Sequence, residues 1–211
     1  MGVKNIKNTM NKNNNIAKCH YLDLAQLFRY PGDTLKSHAE KINKLIQTNY
    51  FETSDDYAVF LNFVNTTVPS EIEELYISTF DVQAICFLDI GYVLFGEDYK
   101  RGAFLVKMNE EQRRCGNECG KELADHLPNV LTLLSTHPDP VFVNEFVNEL
   151  FFPAVTKMLA TFKEGQNPYK YLFITLKFIL QKEYTIEIDK IPEIIQNNLK
   201  IENCLQCHCA T

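Results

Sequence analysis

Apolar residues recur every three to four positions through most of this chain, and strand-like alternation is scarce. That spacing places apolar side chains on one face of an α-helix, and such a face must pack against another. Leu35, Ala39, Ile42 and Ile46 form one stripe of this kind. The pattern predicts eight or more helices joined by short turns, and therefore a single compact all-α domain.

The centre of the chain contains the strongest apolar run. The stretch DVQAICFLDIGYVLFG over 81–96 predicts one central helix, followed by Gly96 in a positive-φ conformation. Asp89 interrupts this run, and a carboxylate there needs a partner or a wet groove. Upstream, Ser70 and Glu73 have capping-box spacing at the start of the preceding helix.

Two aspartates stand where helix N-caps are expected. Asp98 precedes a helix that ends near residue 116, and Arg101 is close enough along it to pair with Asp98. Asp125 precedes the apolar segment HLPNVLTLLS. We expect Asp125 to cap that helix, with His126 as its exposed first residue and Pro128 in its first turn, where backbone N–H groups lack intrahelical partners.

The two ends of the chain differ from its centre. Residues 1–15 are rich in Asn and Lys and lack the apolar core of a secretory signal, so they predict a disordered arm. Residues 16–183 carry the helical pattern. Residues 184–211 predict a short helix around 192–199 and then a Cys-rich tail. The apolar runs are too short to span a bilayer, which together with the missing signal predicts a cytoplasmic protein without membrane insertion.

Charge and motif content exclude several functions. A net charge of -6 argues against a general nucleic-acid-binding surface, because such surfaces concentrate positive charge. The chain has no P-loop, no nucleophile elbow, no dinucleotide fingerprint and no zinc-protease motif. We therefore expect neither an enzyme nor a resident cofactor.

The tail contains the pattern C-x-x-C-H, which is also the attachment signature of a c-type haem. Its soft donors are Cys204, Cys207, His208 and Cys209. Haem attachment is disfavoured because nothing directs export, and the second C-x-x-C of a usual zinc site is missing. Unligated thiols are the preferred interpretation. A metal or redox site remains an alternative, for which Cys115 and Cys119 offer two more donors.

Four segments together resemble a known family. They are LFRYPGD (27–33), YISTFD (76–81), CFLDIGYVLFGEDYKRG (86–102) and ELADHLPNVLTLLS (122–135). Their order and spacing over about residues 20–182 resemble the nitrate-reductase delta-subunit (NarJ-like) branch of the TorD-type molybdoenzyme maturation chaperones.

The resemblance implies an all-α cytoplasmic chaperone with no cofactor of its own, a monomer or weak dimer. Its partner would be the N-terminal segment of a molybdenum oxidoreductase catalytic subunit, nitrate reductase or a relative. The chaperone would hold that subunit while the molybdenum cofactor and iron–sulfur cluster are inserted, before membrane docking or export. The long acidic C-terminal part of the family is replaced here by the short Cys-rich tail, so the sequence leaves the client open.

The resemblance also implies a set of signature or client-contacting residues. They are Tyr76, Phe80, Asp81, Gly96, Arg101, Gly102, Asp125, His126, Leu127 and Pro128, to which we add Asp89 and Asp98. Each also has a structural interpretation. Tyr76 and Phe80 share a helix face, for instance, so that Phe80 is expected to pack in the core while Tyr76 offers its hydroxyl to a groove. A Cys-rich redox protein and an unrelated helical adaptor remain the rival functions.

Overall fold

The computed structural model describes residues 19–163, 165 and 167–186, and in this part of the chain the fold is all-α with no β-strand. Its helices are α1 (described over 19–27), α2 (Leu35–Asn49), α3 (Ser54–Thr66), α4 (Pro69–Phe80), α5 (Ile90–Phe95), α6 (Tyr99–Arg114), α7 (Leu127–Thr136), α8 (Pro140–Phe146), α9 (Phe152–Ala160) and α10 (Pro168–Glu183). A 3₁₀ turn (Phe51–Thr53) precedes α3, and a π-helical turn (Val147–Phe151) joins α8 to α9. The predicted compact all-α domain is confirmed.

The core is built from the predicted apolar stripes. α3 packs against both α2 and α10, and α5 packs against α6 and α9. The stripe of α2 is buried at all four predicted positions. Aromatic rings join α1 and α4 to α10: the centroids of Phe28 and Phe173 lie 4.9 Å apart, and those of Phe80 and Tyr169 lie 4.8 Å apart. The Phe80–Tyr169 pair is edge-oriented, a geometry that adds to the free energy gained by burial alone.

The predicted helix over 81–96 is wrong in its first half. Only Ile90–Phe95 is helical; residues 81–83 form a turn with Gln83 at a positive φ of 53°, residues 84–88 are irregular, and Asp89 lies in an isolated bridge. Cys86 and Leu88 are nevertheless buried. An unbroken apolar run has no periodicity that distinguishes a helix from a buried extended segment, and here tertiary pairing decides. Gly96 does follow the helix with a positive φ of 59°, as expected.

The predicted capping box is also wrong. α4 begins at Pro69, so Val68 is its N-cap residue and supplies no side-chain bond. Proline at the first helical position needs no N–H partner, and the N-cap lies two residues earlier than expected, at Val68 instead of Ser70. Glu73 instead accepts a 2.9 Å hydrogen bond from the Tyr30 hydroxyl.

Glu183 connects the start and end of the described domain. Its carboxylate accepts hydrogen bonds from the hydroxyls of Tyr21, at 2.6 Å, and Tyr50. Nε2 of His20 lies 3.1 Å from the same carboxylate. α1 and the turn after α2 are therefore both fastened to the last residue of α10.

None of the described helices is long and apolar enough to cross a bilayer. The predicted arm over 1–15, the short helix over 192–199 and the Cys-rich tail lie outside the described residues.

A buried tyrosine tests the packing of α3 on α2. The Tyr57 hydroxyl donates to the carbonyl of Ala39 at 2.9 Å, and the side chain is fully buried. Tyr57→Phe removes this one buried hydrogen bond, so we expect a loss of about 1 kcal/mol in the free energy of unfolding. Tyr99→Phe is the matched control, because Tyr99 is 83% exposed. Urea unfolding measures both, and equal losses would contradict the assignment.

Candidate functional site

Two segments far apart in sequence run side by side before α5 and α7. The Ile90 N–H donates to the Asp125 carbonyl at 3.1 Å, and the Leu127 N–H donates to the Leu88 carbonyl at 2.9 Å. Asp89 and His126 face each other in an isolated antiparallel bridge. This pairing explains why Cys86 and Leu88 are buried although their segment is not helical.

Asp125 caps a helix, but not the predicted one. It is fully buried, and its Oδ2 accepts a 2.7 Å hydrogen bond from the N–H of Gly91 in the first turn of α5. Burial raises the pKa of this carboxyl group, and the Gly91 N–H opposes the rise. The cap acts across 34 positions of sequence, so local spacing gives no sign of it.

His126 takes the N-cap position of α7, and its side chain makes no capping bond. Its Nδ1 lies 2.9 Å from Oδ1 of Asp89, and only 15% of the side chain is exposed. The expectation of an exposed first helical residue is therefore wrong, because the bridge turns the imidazole towards Asp89.

Asp89 stands at the N-cap position of α5, not inside an apolar helix. Besides His126 it meets Arg101, whose guanidinium lies 3.6 Å from Oδ2 of Asp89 and 5.2 Å from the centroid of the Tyr92 ring. Arg101 thus pairs with Asp89 instead of the expected Asp98. The Asp98 cap itself is confirmed, since its Oδ1 accepts from the Lys100 N–H at 2.9 Å.

A groove of about 460 Å³ opens beside the cluster of Asp89, Arg101 and His126. It lies between the end of α1, the end of α4 and the start of α7. Its lining residues are Arg29, Tyr30, Tyr76, Phe80, Asp81, Leu88, Cys119, Gly120, Lys121, Glu122, His126 and Pro128. Five of the predicted site residues thus share one surface: Tyr76, Phe80, Asp81, His126 and Pro128.

The other predicted residues lie elsewhere. Asp89 and Arg101 pair with each other next to His126, while Asp125 and Leu127 are fully buried. Gly96, Asp98 and Gly102 do not line the groove. Gly96 and Asp98 are cap residues of α5 and α6, while Gly102 lies inside α6 with open space at its missing Cβ.

The floor of the groove is aromatic. Tyr76 lines it, but the hydroxyl donates to the carbonyl of Phe28 at 3.1 Å instead of pointing to a ligand. Burial, followed by the charges of Glu122 and Asp81, raises the pKa of Tyr76 to about 12. Phe80 packs against Tyr76 and Tyr169, with centroids 5.1 and 4.8 Å away, as expected for a core residue that also reaches the surface.

The wall over residues 119–123 is held by a buried amide. The Asn129 side chain donates to the carbonyls of Cys119, at 3.2 Å, and Leu123, at 2.9 Å. Gln112 in turn donates to the Asn129 carbonyl at 3.0 Å. The wall is therefore a fixed surface, built by a network of satisfied buried polar groups.

Sequence reasoning missed Arg29, Tyr30, Lys121 and Glu122 as lining residues. Arg29, Tyr30 and Glu122 lie inside the segments that carry the family resemblance. Their positions could therefore have indicated the groove, although their residue types gave no sign of it. The charges are mixed: two cations and two carboxylates border an aromatic floor. Such a surface suits a polypeptide segment that has one apolar side and charged flanks.

The described groove residues include neither a cluster of metal donors nor a thiol with a lowered pKa. Burial raises the pKa of the Cys119 thiol, which disfavours the reactive thiolate. Among the described His, Cys, Asp and Glu residues, no group of three or more is placed to hold a metal ion. The candidate donors of the C-terminal tail lie outside the described residues.

No protein-family model matches the chain, and a comparison with curated proteins gives no significant match.

Proposed function

We propose that this protein is a maturation chaperone of the NarJ-like type. Its groove would bind the N-terminal segment of a molybdenum oxidoreductase catalytic subunit, nitrate reductase or a relative, while that subunit receives its cofactor in the cytoplasm. One observation carries the proposal. Tyr76, Phe80 and Asp81 meet His126 and Pro128 at one groove, although 45 or more positions separate the two groups by their numbering.

The chemistry of the groove fits a peptide better than a small metabolite. Phe80 and Leu88 provide apolar contact, and Tyr30 stands on the rim with 54% of its surface exposed. Asp81 and Glu122 are exposed carboxylates that can meet basic residues of a bound segment. Ile85 and Phe87, in the segment that leads to Leu88, are also about half exposed.

Titration calorimetry with a peptide from the first few tens of residues of a candidate catalytic subunit tests the proposal. We expect binding that weakens between about 50 and 500 mM salt but does not vanish, because salt screens only the electrostatic share. Glu122→Gln should weaken the low-salt binding roughly fivefold, the size of an exposed charge contact.

Glu145→Gln is the control, because it makes the same change of charge at an exposed residue of α8 that does not line the groove. Both variants should unfold like the wild-type protein. The proposal fails if N-terminal peptides do not bind at any salt while a later segment of the subunit binds tightly.

A further inference from the structure

Arg29 stands out in the groove because its charge has no acidic partner among the described residues. Its terminal amino group donates to the neutral side-chain oxygen of Asn129 at 3.3 Å, a long hydrogen bond. Its Nε is buried and makes no hydrogen bond to any described residue. Within the described ranges no carboxylate forms an ion pair with it, whereas Arg101 nearby has Asp89.

A half-buried guanidinium with an unused N–H donor destabilises the folded state unless an acceptor pairs with it. The groove carboxylates Asp81 and Glu122 do not fill this role, since both are exposed and neither bonds to Arg29. Burial raises the pKa of the Cys119 thiol in the groove wall, and the positive charge of Arg29 opposes that rise. The charge of Arg29 therefore acts on the wall of the groove.

We propose that Arg29 is a carboxylate-binding subsite of the groove and receives an acidic side chain of the bound polypeptide. A guanidinium presents paired N–H donors that match the two oxygens of a carboxylate. Phosphate fits less well, because its larger negative charge meets Asp81 and Glu122 in the same groove. The aromatic floor beside Arg29 favours a peptide side chain over a free anion. The statement that this carboxylate belongs to a client polypeptide rests on the proposed function, whereas the carboxylate-binding role of Arg29 does not.

Capped glutamate and capped glutamine test the subsite without any client peptide. At about 50 mM and constant ionic strength, N-acetyl-glutamate amide should raise the unfolding midpoint by about 2 °C, and the glutamine analogue should not. Arg29→Gln should abolish the difference, Arg29→Lys should retain part of it, and Lys121→Gln should leave it largely intact. The Arg29 Nε–H resonance gives a readout in the wild-type protein: it should shift with capped glutamate alone.

Equal responses to the two capped amino acids would overturn the subsite, and so would a larger response to inorganic phosphate. A further experiment with a client peptide then tests this inference separately from the proposed function. With a client peptide that binds, replacing its acidic residues one at a time by amides should identify one position that costs roughly tenfold in affinity. That cost should disappear in Arg29→Gln. Absence of peptide binding counts against the proposed function, while the capped amino acids still decide the role of Arg29.

Discussion

Replacing Gly91 by alanine should lower the free energy of unfolding by about 3 kcal/mol, since an overpacked core and a displaced buried hydrogen bond both contribute. A Cβ at Gly91 would lie 2.8 Å from Oδ2 of Asp125 and 2.8 Å from Cδ1 of Phe104. The Asp125 oxygen is the one that accepts from the Gly91 N–H, so relieving the clash breaks the cap. Phe104 is packed against Phe95, which limits its retreat.

Gly102→Ala is the matched control for this experiment. Gly102 lies inside α6, is exposed and has nothing within 4 Å of the position of a Cβ. Alanine there should stabilise the protein by roughly 0.5 kcal/mol, because it lowers the entropy of the unfolded chain. Urea unfolding should therefore give opposite signs for the same substitution, and equal effects would refute the close approach at Gly91.

Substitution of Asp125 should cause the second largest loss in the free energy of unfolding. Asp125→Ala removes the acceptor of a buried N–H and leaves a small cavity, so we expect a loss of about 2 kcal/mol. Asp125→Asn keeps an oxygen acceptor and removes the ionisable group. Because burial raises the pKa of Asp125 in the folded state, its carboxyl group favours folding most below the unfolded pKa. That contribution is lost as the pH rises through the raised folded value.

Unfolding of the wild-type protein and Asp125→Asn between about pH 4 and pH 8 measures this dependence. The stability of the wild type relative to the variant should fall as the pH rises. Asp98→Asn serves as control, because Asp98 is an exposed cap and asparagine caps about as well as aspartate. A difference that stays constant with pH would show that Asp125 does not titrate differently in the folded state.

The helical stripes and their ends could largely be predicted from sequence because they depend on local spacing. The buried residues of α2 and the cap at Asp98 are examples. The errors at residues 81–89 and at Asp125 and His126 share one cause, which does not account for the misplaced start of α4. Residues 88–90 and 125–127 satisfy each other's backbone groups, which converts an expected helix into an extended segment. No local pattern encodes a pairing between segments so far apart in the chain.

The same limit applies to the groove. Several of its lining residues were predicted from the sequence. Arg29 was not, because in its local sequence it is an ordinary cation at the end of a helix. Its importance appears only when the surrounding groups are known, namely a neutral amide and no carboxylate among its described contacts. A residue of this kind is defined by what is missing around it, which sequence spacing does not specify.

The Glu183 network has a consequence for the topology of the chain. Because Glu183 contacts His20 and Tyr21, the first and last turns of the described domain are neighbours. Tyr169, at the opposite end of α10, packs against Tyr76 and Phe80 of the groove. About 21 Å of helix separates the two ends, at 1.5 Å per residue. The two ends of the described domain are therefore close enough to be joined in a circular permutant, at a point about this far from the groove floor.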